Sequence, residues 1–510
     1  MRCLSLSNLL EATPDAEIDG GVEIEVTGVE CDSRRATPGT VFVAVRGWRE
    51  DGHRYLPQAL DAGACAIVSS SPRQDRADGA TWVRVANERP ALARLARRFH
   101  GNPDLELTLV GVTGTKGKTT TAWLLESMIE ASGGKPGGIG TIRTRVGDRS
   151  EISTLTTPDA PTLCAQLARM VEEKCTHAVL EASSQALHQS RVEGLRFRCA
   201  VFTNFTQDHL DYHETLEAYF ESKARLFCSL DEDAVAVLPA DDPHGERLSR
   251  LTEARVLTYA VGRIPNTTRE RWWAVPEVRV ESAQVSLGST AAVLRTPRGW
   301  IHARMPLTGR HNLRNLAAAA TAAWSLGISD EKIASGAARV EPVPGRMESI
   351  DEGQSFLVIV DFAHTEDALR NALSSLRELT RGRLLCVFGC GGDRDRSKRA
   401  PMGAAAAAGA DRLYLTSDNP RRENPLAILR DIELGVKQAS PEHPYQVISD
   451  RAAAISAAVS EARQGDAVLI AGKGHEREQL VADRRLPFDD REQARISLRA
   501  LPGGRMAEGE

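Results

Sequence analysis

No stretch of the 510 residues approaches the ~20 consecutive apolar positions that a membrane-spanning helix needs. The first segment, MRCLSLSNLLEATPDAEIDG, meets Glu11 and Asp15 too soon for a secretory leader, so a cytoplasmic location is expected. An excess of one charge is missing as well. With 64 Lys and Arg against 69 Asp and Glu, the net charge of -5 gives no nucleic-acid surface and no basic membrane arm. Nine cysteines lie scattered without zinc-type spacing, and Cys386 and Cys390 share one apolar run that reads as buried thiols in a reduced compartment. Internal repeats and low-complexity tracts are absent too. What remains is a soluble globular composition, 42% hydrophobic and 26% charged, long enough for about three domains.

Chain punctuation supports that division. Up to about His100, short strands (VFVAVRG, GACAIVSS, TWVRVAN) mix with helical runs, and GNPDLE reads as a linker. From Thr108 to about Ala338 strands alternate with helices, the pattern of an α/β domain with a largely parallel sheet. The prolines and glycine of VEPVPGRMESI mark a second boundary. Beyond it, FLVIVDFAHT, LLCVFGCGGDRDRS, RLYLTSDNPRRENP and AVLIAGKGHE each run from an apolar strand into a polar loop. Ligands of open α/β sheets sit outside such strand ends, so four loops of this kind predict a site. The expected units are 1–102, 103–341 and 342–510, and the tail LPGGRMAEGE is expected to fray.

Chemistry begins at LTLVGVTGTKGKTTTAWLLESM. Glycines between a strand and a helix let the backbone approach phosphate oxygens, and the helix start adds amide hydrogens. Position 112 is Val112 rather than the glycine of the strict phosphate-loop pattern, and Gly114 gives a shorter-spaced variant. Gly114, Thr115, Lys116, Gly117, Lys118, Thr119 and Thr120 form this cradle; Lys118 is placed to reach terminal phosphates and Thr119 to reach Mg²⁺. Without an Asn-Lys-x-Asp guanine signal, ATP is favoured over GTP. Glu181 closes the strand HAVLEASS, and Asp208, His209 and Asp211 follow the strand ending near Asn204. Each alone reads as an ordinary strand-end polar residue, and Lys223 reads as a solvated helix lysine.

GTKGKTTT, EASSQAL, TNFTQDHLDYH, YFESKARLF, GRHNLRNLAAA, PGRME, DFAHT, GDRDRSKR, SDNPR and AGKGHE occur in one order from about Cys31 to Glu476. In that order they resemble the Mur ligase family. The resemblance implies three α/β domains: an N-terminal UDP-binding unit, a central P-loop ATPase-like parallel sheet and a C-terminal Rossmann-like unit. It implies that Thr119, Glu181, His209 and a CO₂-carbamylated Lys223 hold Mg²⁺, with Lys118, Glu181, His209 and Lys223 as the catalytic set. Asn312, Arg346 and Asp361 match nucleotide contacts across the domain boundary, with His311 shaping the same loop.

For the sugar nucleotide, the resemblance points to Cys31, Ser33, Thr156, Thr157, Ser183, Gln189 and Arg191. The loop Trp48-Arg49-Glu50 departs from the family pattern. From the residues alone, the two threonines could equally form a capped turn before APTLCAQLARMVEE. The implied acceptor is UDP-N-acetylmuramoyl-L-alanyl-D-glutamate. The implied amine is meso-diaminopimelate, met by Arg394, Asp418, Asn419, Pro420, Arg421, Gly472 and Glu476. A guanidinium welcomes its distal carboxylate and repels the distal ammonium of L-lysine, although DNPRRENP alone also reads as a polar turn. A monomer is expected. A lysine-adding ligase, a folylpolyglutamate synthase-like ligase and a nucleotide-gated binding protein remain as alternatives.

Overall fold

The computed structural model describes residues 3–47, 50–73, 79–262 and 272–501. Trp48 and Arg49 of the departing loop, and 502–510 of the tail, lie outside the described residues.

Three large sheets organise the chain. The first has five strands in the order Glu17–Asp19, Thr81–Arg84, Ala66–Ser69, Thr40–Val43 and Gly28–Glu30. All its pairings are parallel except that of Glu17–Asp19 with Thr81–Arg84. The helix Glu88–Phe99 covers one face through Ala91, Leu95, Ala96 and Phe99.

The central sheet has eleven strands. Seven neighbours run parallel: Pro136–Ile139, His177–Glu181, Thr108–Thr113, Cys199–Phe202, Val235–Pro239, Arg255–Val261 and Val278–Ser286. Strand alternation builds a core on each face. Val110, Val112, Val179, Val201 and Val237 face the helices Lys118–Ala131, His311–Ser325 and Asp330–Arg339. Leu109, Leu180, Phe202 and Leu238 face Ala160–Glu172 and Leu216–Cys228. The alanine run Ala317–Ala320 is fully buried, and its small side chains let the helix pack closely.

One stretch departs from the expected alternation of strands and helices. Residues 278–305 form an antiparallel meander of Val278–Ser286, Ser289–Thr296 and Gly299–Met305, with no helix between. The reason is a two-residue period: Thr290, Ala292 and Leu294 point inward, as do Ile301, Ala303 and Met305, while Trp300, His302 and Arg304 face solvent.

The last sheet has the order Glu348–Ser349, Leu357–Asp361, Ala467–Ala471, Leu384–Phe388, Arg412–Leu415 and Tyr445–Val447, parallel after the first pair. Ile359, Cys386, Phe388 and Leu469 enter one core, whereas Val358, Val360, Val387 and Ile470 enter the other. The four polar loops read from the sequence therefore leave the carboxyl ends of four neighbouring parallel strands of one sheet. Cys386 and Cys390 are buried thiols, as expected, and Cys390 Sγ lies 3.6 Å from Met402 Sδ.

Candidate active site

The phosphate-type loop joins Thr108–Thr113 to Lys118–Ala131. Gly117 stands at the helix start with φ 82°, and a Cβ there would lie 2.3 Å from Asn315 Oδ1, so no other residue fits without displacing that amide. Lys118 is half-buried and donates to the carbonyls of Gly114 and Thr115, both at 2.9 Å. Thr119 Oγ1 donates to Glu181 Oε2 at 2.9 Å, while Thr141 donates its hydroxyl to the same oxygen and its amide to Glu181 Oε1. Thr120 is buried on the first helical turn. The Lys116 amide donates to Asn204 Oδ1, and its ammonium pairs with Asp367 of the helix Glu366–Arg377, which packs on the last sheet. The Thr115 hydroxyl donates to the Thr206 carbonyl.

Lys223 overturns the expectation of a solvated helix lysine: it is 1% exposed. Its helix turns it inward, where Nζ donates to the Gly114 carbonyl at 2.8 Å and sits 4.5 Å above the Tyr219 ring. Burial, followed by the neighbouring Lys118 charge, drives it far below the ordinary lysine range. Helical spacing alone could not reveal this, because the strand end that receives it lies over a hundred residues away in sequence. His209 occupies a left-handed conformation, φ 54°, and burial brings its imidazole down to about 4, with Lys223 and Lys118 adding to the effect and Asp208 opposing. It is thus a neutral nitrogen donor at neutral pH.

No cluster of three or more His, Cys, Asp or Glu with metal-ligand spacing occurs among the described residues. A zinc-type cage is therefore not built by them. Mg²⁺ asks for less, one or two carboxylates with waters and substrate phosphates completing the shell. The Thr119 hydroxyl beside the Glu181 carboxylate at a phosphate-type loop fits that donor set.

Arg346 and Asp361 are drawn close to this loop. The Arg346 guanidinium covers the Phe362 ring at 4.5 Å, and Asp361 Oδ2 accepts from the Met347 amide. Burial lowers Arg346, with Asp361 and Glu181 opposing, and burial raises Asp361, with Arg346 opposing. His311 is near enough to feel Asp361, Arg346 and Lys116. Asn312 is different: its amide donates to the Thr308 carbonyl and its oxygen accepts from Asn315. That side chain is committed inside the protein and shapes the helix start.

The sugar-side residues form a connected group. Thr157 Oγ1 donates to the Glu181 carbonyl and accepts from the Ser183 amide. Arg191 donates to the Thr157 carbonyl and, through two nitrogens, to Gln189 Oε1. Thr156 and Thr141 hydroxyls lie 3.1 Å apart. Asp159, not a threonine, caps the helix Ala160–Glu172, so the capped-turn alternative fails for Thr156 and Thr157. Cys31 and Ser33 stand on the first sheet's edge, and Arg35 spans to Thr162 at 3.0 Å. The Ser33 hydroxyl is buried and donates to Gln58 Oε1, while burial pushes the Cys31 thiol up to about 12.

On the last sheet, Asp418, Asn419, Pro420, Arg421, Gly472 and Glu476 gather beyond the carboxyl ends of Arg412–Leu415 and Ala467–Ala471, the strands on either side of Leu384–Phe388. Arg421, at φ 51°, donates to the Gly392 carbonyl at 2.8 Å; burial and the nearby Arg394 charge lower its pKa. Two neighbouring guanidinium groups favour an anion between them. Arg394 also faces Asp211 at 3.5 Å, and Arg310 pairs with Glu378 at 2.8 Å, so three ion pairs with Lys116–Asp367 link the central and last sheets' units. Beneath the loops, the fully buried Arg451 pairs bidentately with Asp490, both contacts 2.7 Å, and donates to the carbonyls of Ala471 and Ser417.

One cavity of about 400 Å³ lies between the central and last units. Gln185, Asp208, His209 and Asp211 line it from the central unit, and Arg394, Asp418, Asn419, Arg421, Gly472 and Glu476 from the last.

The description Mur ligase middle domain matches residues 112–323, Mur ligase glutamate ligase domain matches 345–474, and Mur ligase family catalytic domain matches 25–100. A relative from Geobacillus thermodenitrificans (strain NG80-2), named UDP-N-acetylmuramoyl-L-alanyl-D-glutamate--2,6-diaminopimelate ligase, is 42% identical over 502 residues, 97% of this chain and 99% of its own. A like-named relative from Gloeobacter violaceus (strain ATCC 29082 / PCC 7421) is 44% identical over 93% of this chain and 94% of its own. The chain belongs to the Mur ligase family. A solved structure of a UDP-N-acetylmuramoyl-L-alanyl-D-glutamate--2,6-diaminopimelate ligase superposes on this Mur ligase with a TM-score of 0.68 at 33% identity, covering 98% of this chain and 99% of that one.

Several cavity residues of this Mur ligase escaped the sequence reading. His364 Nε2 lies 3.9 Å from Asp208, and Lys398 donates to the His364 carbonyl. Burial works against the Asp208 anion, but His209, His364 and Lys398 outweigh it and hold the carboxylate down at about 2. The histidine of DFAHT was the available signal, since it follows a strand end.

Proposed function

We propose that this Mur ligase uses ATP to join meso-2,6-diaminopimelate to UDP-N-acetylmuramoyl-L-alanyl-D-glutamate, forming an amide. The observation that carries the reading is the shared cavity, where His209 of the phosphate-loop unit faces the Asp418–Arg421 loop. The relatives named for 2,6-diaminopimelate support it. The division into 1–102, 103–341 and 342–510 follows, each unit carrying one substrate, in a monomeric cytoplasmic enzyme. Among the described residues no helix is long and apolar enough to cross a membrane.

The terminal D-glutamate carboxylate attacks the γ-phosphorus of ATP, ADP leaves, and an acyl phosphate forms. The amine of diaminopimelate then attacks the acyl carbon, loses a proton, and expels phosphate. Lys118 leaves its loop carbonyls to face the phosphates, lowering repulsion between the two anions. Thr119, Glu181, His209 and a carbamylated Lys223 would hold Mg²⁺, which when bound would supply further neutralisation of phosphate charge. Lys223 is suited to carbamylation because its buried, neutral amine adds CO₂ and releases one proton, so an uncharged nitrogen becomes an anionic oxygen pair. Arg346 and Asp361 hold the nucleotide from the last unit, and Asn312 sets the helix beside it. Arg191, Gln189, Ser183, Thr156 and Thr157 hold the peptide end, with Cys31 and Ser33 at the uridine diphosphate. Arg421 and Arg394 take the distal carboxylate, a pair that repels the distal ammonium of L-lysine.

The test supplies purified protein with ATP, Mg²⁺, bicarbonate, the UDP-linked dipeptide and either diaminopimelate or L-lysine. Phosphate release that needs both acceptor and diaminopimelate, with a new amide by mass, is the expected result. Release independent of both, or preference for L-lysine, overturns the reading.

A further inference from the structure

Lys473 lies between Gly472 and Glu476 in sequence but does not line the cavity; it is 0% exposed. Its three donors are all engaged: Nζ reaches Asn419 Oδ1 at 3.0 Å, Glu476 Oε2 at 2.8 Å and the Glu478 carbonyl at 2.7 Å. Asn419 is equally committed. Its oxygen also accepts from the Leu480 amide at 2.9 Å, and its Nδ2 donates to Glu476 Oε2 at 2.8 Å. Glu476 Oε2 thus carries two donors, Lys473 and Asn419, and the carboxylate is fixed with its other oxygen left for the cavity. The loop itself is stitched to the hairpin Glu478–Val481 and Arg484–Pro487: the Arg421 amide donates to the Leu480 carbonyl, and the Ala482 amide to the Arg421 carbonyl.

We propose that Lys473 is a positioning residue for amino-acid selection, acting through Glu476 and Asn419 without touching the substrate. It does two things. It holds Glu476 in one orientation, and it balances the charge of a carboxylate that would otherwise stand beside Asp418 as a second bare anion. A cavity with one oriented oxygen facing an ammonium, opposite the Arg421 and Arg394 guanidinium groups, then reads both ends of a diamino dicarboxylic acid. Without Lys473, Glu476 keeps only the Asn419 donor, so its carboxylate is held less firmly, and the wall becomes more anionic, which favours a simple cationic side chain.

This inference rests on the proposed ligase activity, and the experiment separates the two. Initial rates of amide formation are measured for the natural protein, Lys473→Met, Glu476→Gln and the double variant, varying diaminopimelate at saturating ATP and UDP-linked dipeptide. Lys473→Met is expected to raise the diaminopimelate KM about tenfold, the loss of a hydrogen bond to a charged group, and to raise L-lysine use relative to diaminopimelate. The KM for ATP stays unchanged. In the Glu476→Gln background the same substitution is expected to have little further effect, because the group it acts through is gone. An unchanged KM, an equal effect in both backgrounds, or a matching rise in the KM for ATP overturns the assignment. Thermal melting is recorded for every variant. If Lys473→Met does not fold, Lys473→Gln, which keeps one donor, carries the same comparison; failure of both makes Lys473 a folding residue and overturns the proposal. If the natural protein joins no diaminopimelate, the proposed function fails instead.

Discussion

Replacing Arg451 by methionine tests how the amine-side loops are held. Arg451 and Asp490 are each 0% exposed in their side chains, and the guanidinium also satisfies the carbonyls of Ser417 and Ala471, the residues just before Asp418 and Gly472. Methionine leaves the Asp490 carboxylate buried without a partner and both carbonyls without that donor. Breaking one side of a buried ion pair costs about 3–5 kcal/mol. At ~2–4 °C per kcal/mol for a unit of 150–250 residues, the stranded charge alone should lower the corresponding calorimetric transition by roughly 6–20 °C, and the two carbonyls lower it further. The double variant Arg451→Met/Asp490→Leu removes the stranded charge but not the carbonyl loss, which is about 1–3 kcal/mol for each group left unsatisfied. Its transition should therefore lie between the other two. Scanning calorimetry of the full chain decides the matter. A transition unmoved in the single variant, or a double variant as unstable as the single, would refute the claim that a desolvated charge dominates.

Gly472→Ala should raise the diaminopimelate KM while leaving that for ATP alone, because at φ 119° the new Cβ would lie 2.6 Å from Asp418 Oδ2; unchanged kinetics would remove Gly472 from the site. Lys223→Ala should abolish turnover and recover part of it with added acetate, which can replace the carbamate oxygens, and absence of any recovery counts against carbamylation. Glu30 gives a pH test. Burial raises it from 4.5 to about 7, with Arg35 opposing, so between those values the folded chain binds the extra proton and stability falls as pH rises. Melting temperatures of Glu30→Gln should decline less from pH 5 to pH 7.5 than those of the natural protein; parallel curves would show that Glu30 is not the linked group.

Much of the scaffold was legible because strand and helix periods are local. The cradle between Thr108 and Ala131 and the strand ends at Glu181, Asp361, Asn419 and Gly472 needed only pattern and loop chemistry. The meander of 278–305 did carry a local signal, a two-residue period with glycines at 288 and 299, but it was overlooked beside the surrounding α/β rhythm. Burial of Lys223 was illegible for a different reason: it depends on the Gly114 carbonyl meeting a helix from another segment. The same holds for Asn312, whose side chain turns to Thr308 and Asn315, and for Lys473, which sits beside binding residues yet faces inward. Resemblance to a family supplied roles for residues whose local sequence was mute, and geometry then separated side chains that face the cavity from those that hold others in place.

Three Lys or Arg ion pairs that join the central and last units among the described residues, Lys116–Asp367, Arg394–Asp211 and Arg310–Glu378, are all partly open to water. Such contacts contribute only about 0–1 kcal/mol apiece, and the Debye length is already ~8 Å at physiological ionic strength. The jaws are accordingly fastened by buttons rather than welds: thermal motion can part them, dissolved electrolyte weakens every clasp at once, and a charged visitor arriving at Lys116 or Arg394 competes directly with the fastening it must undo to enter.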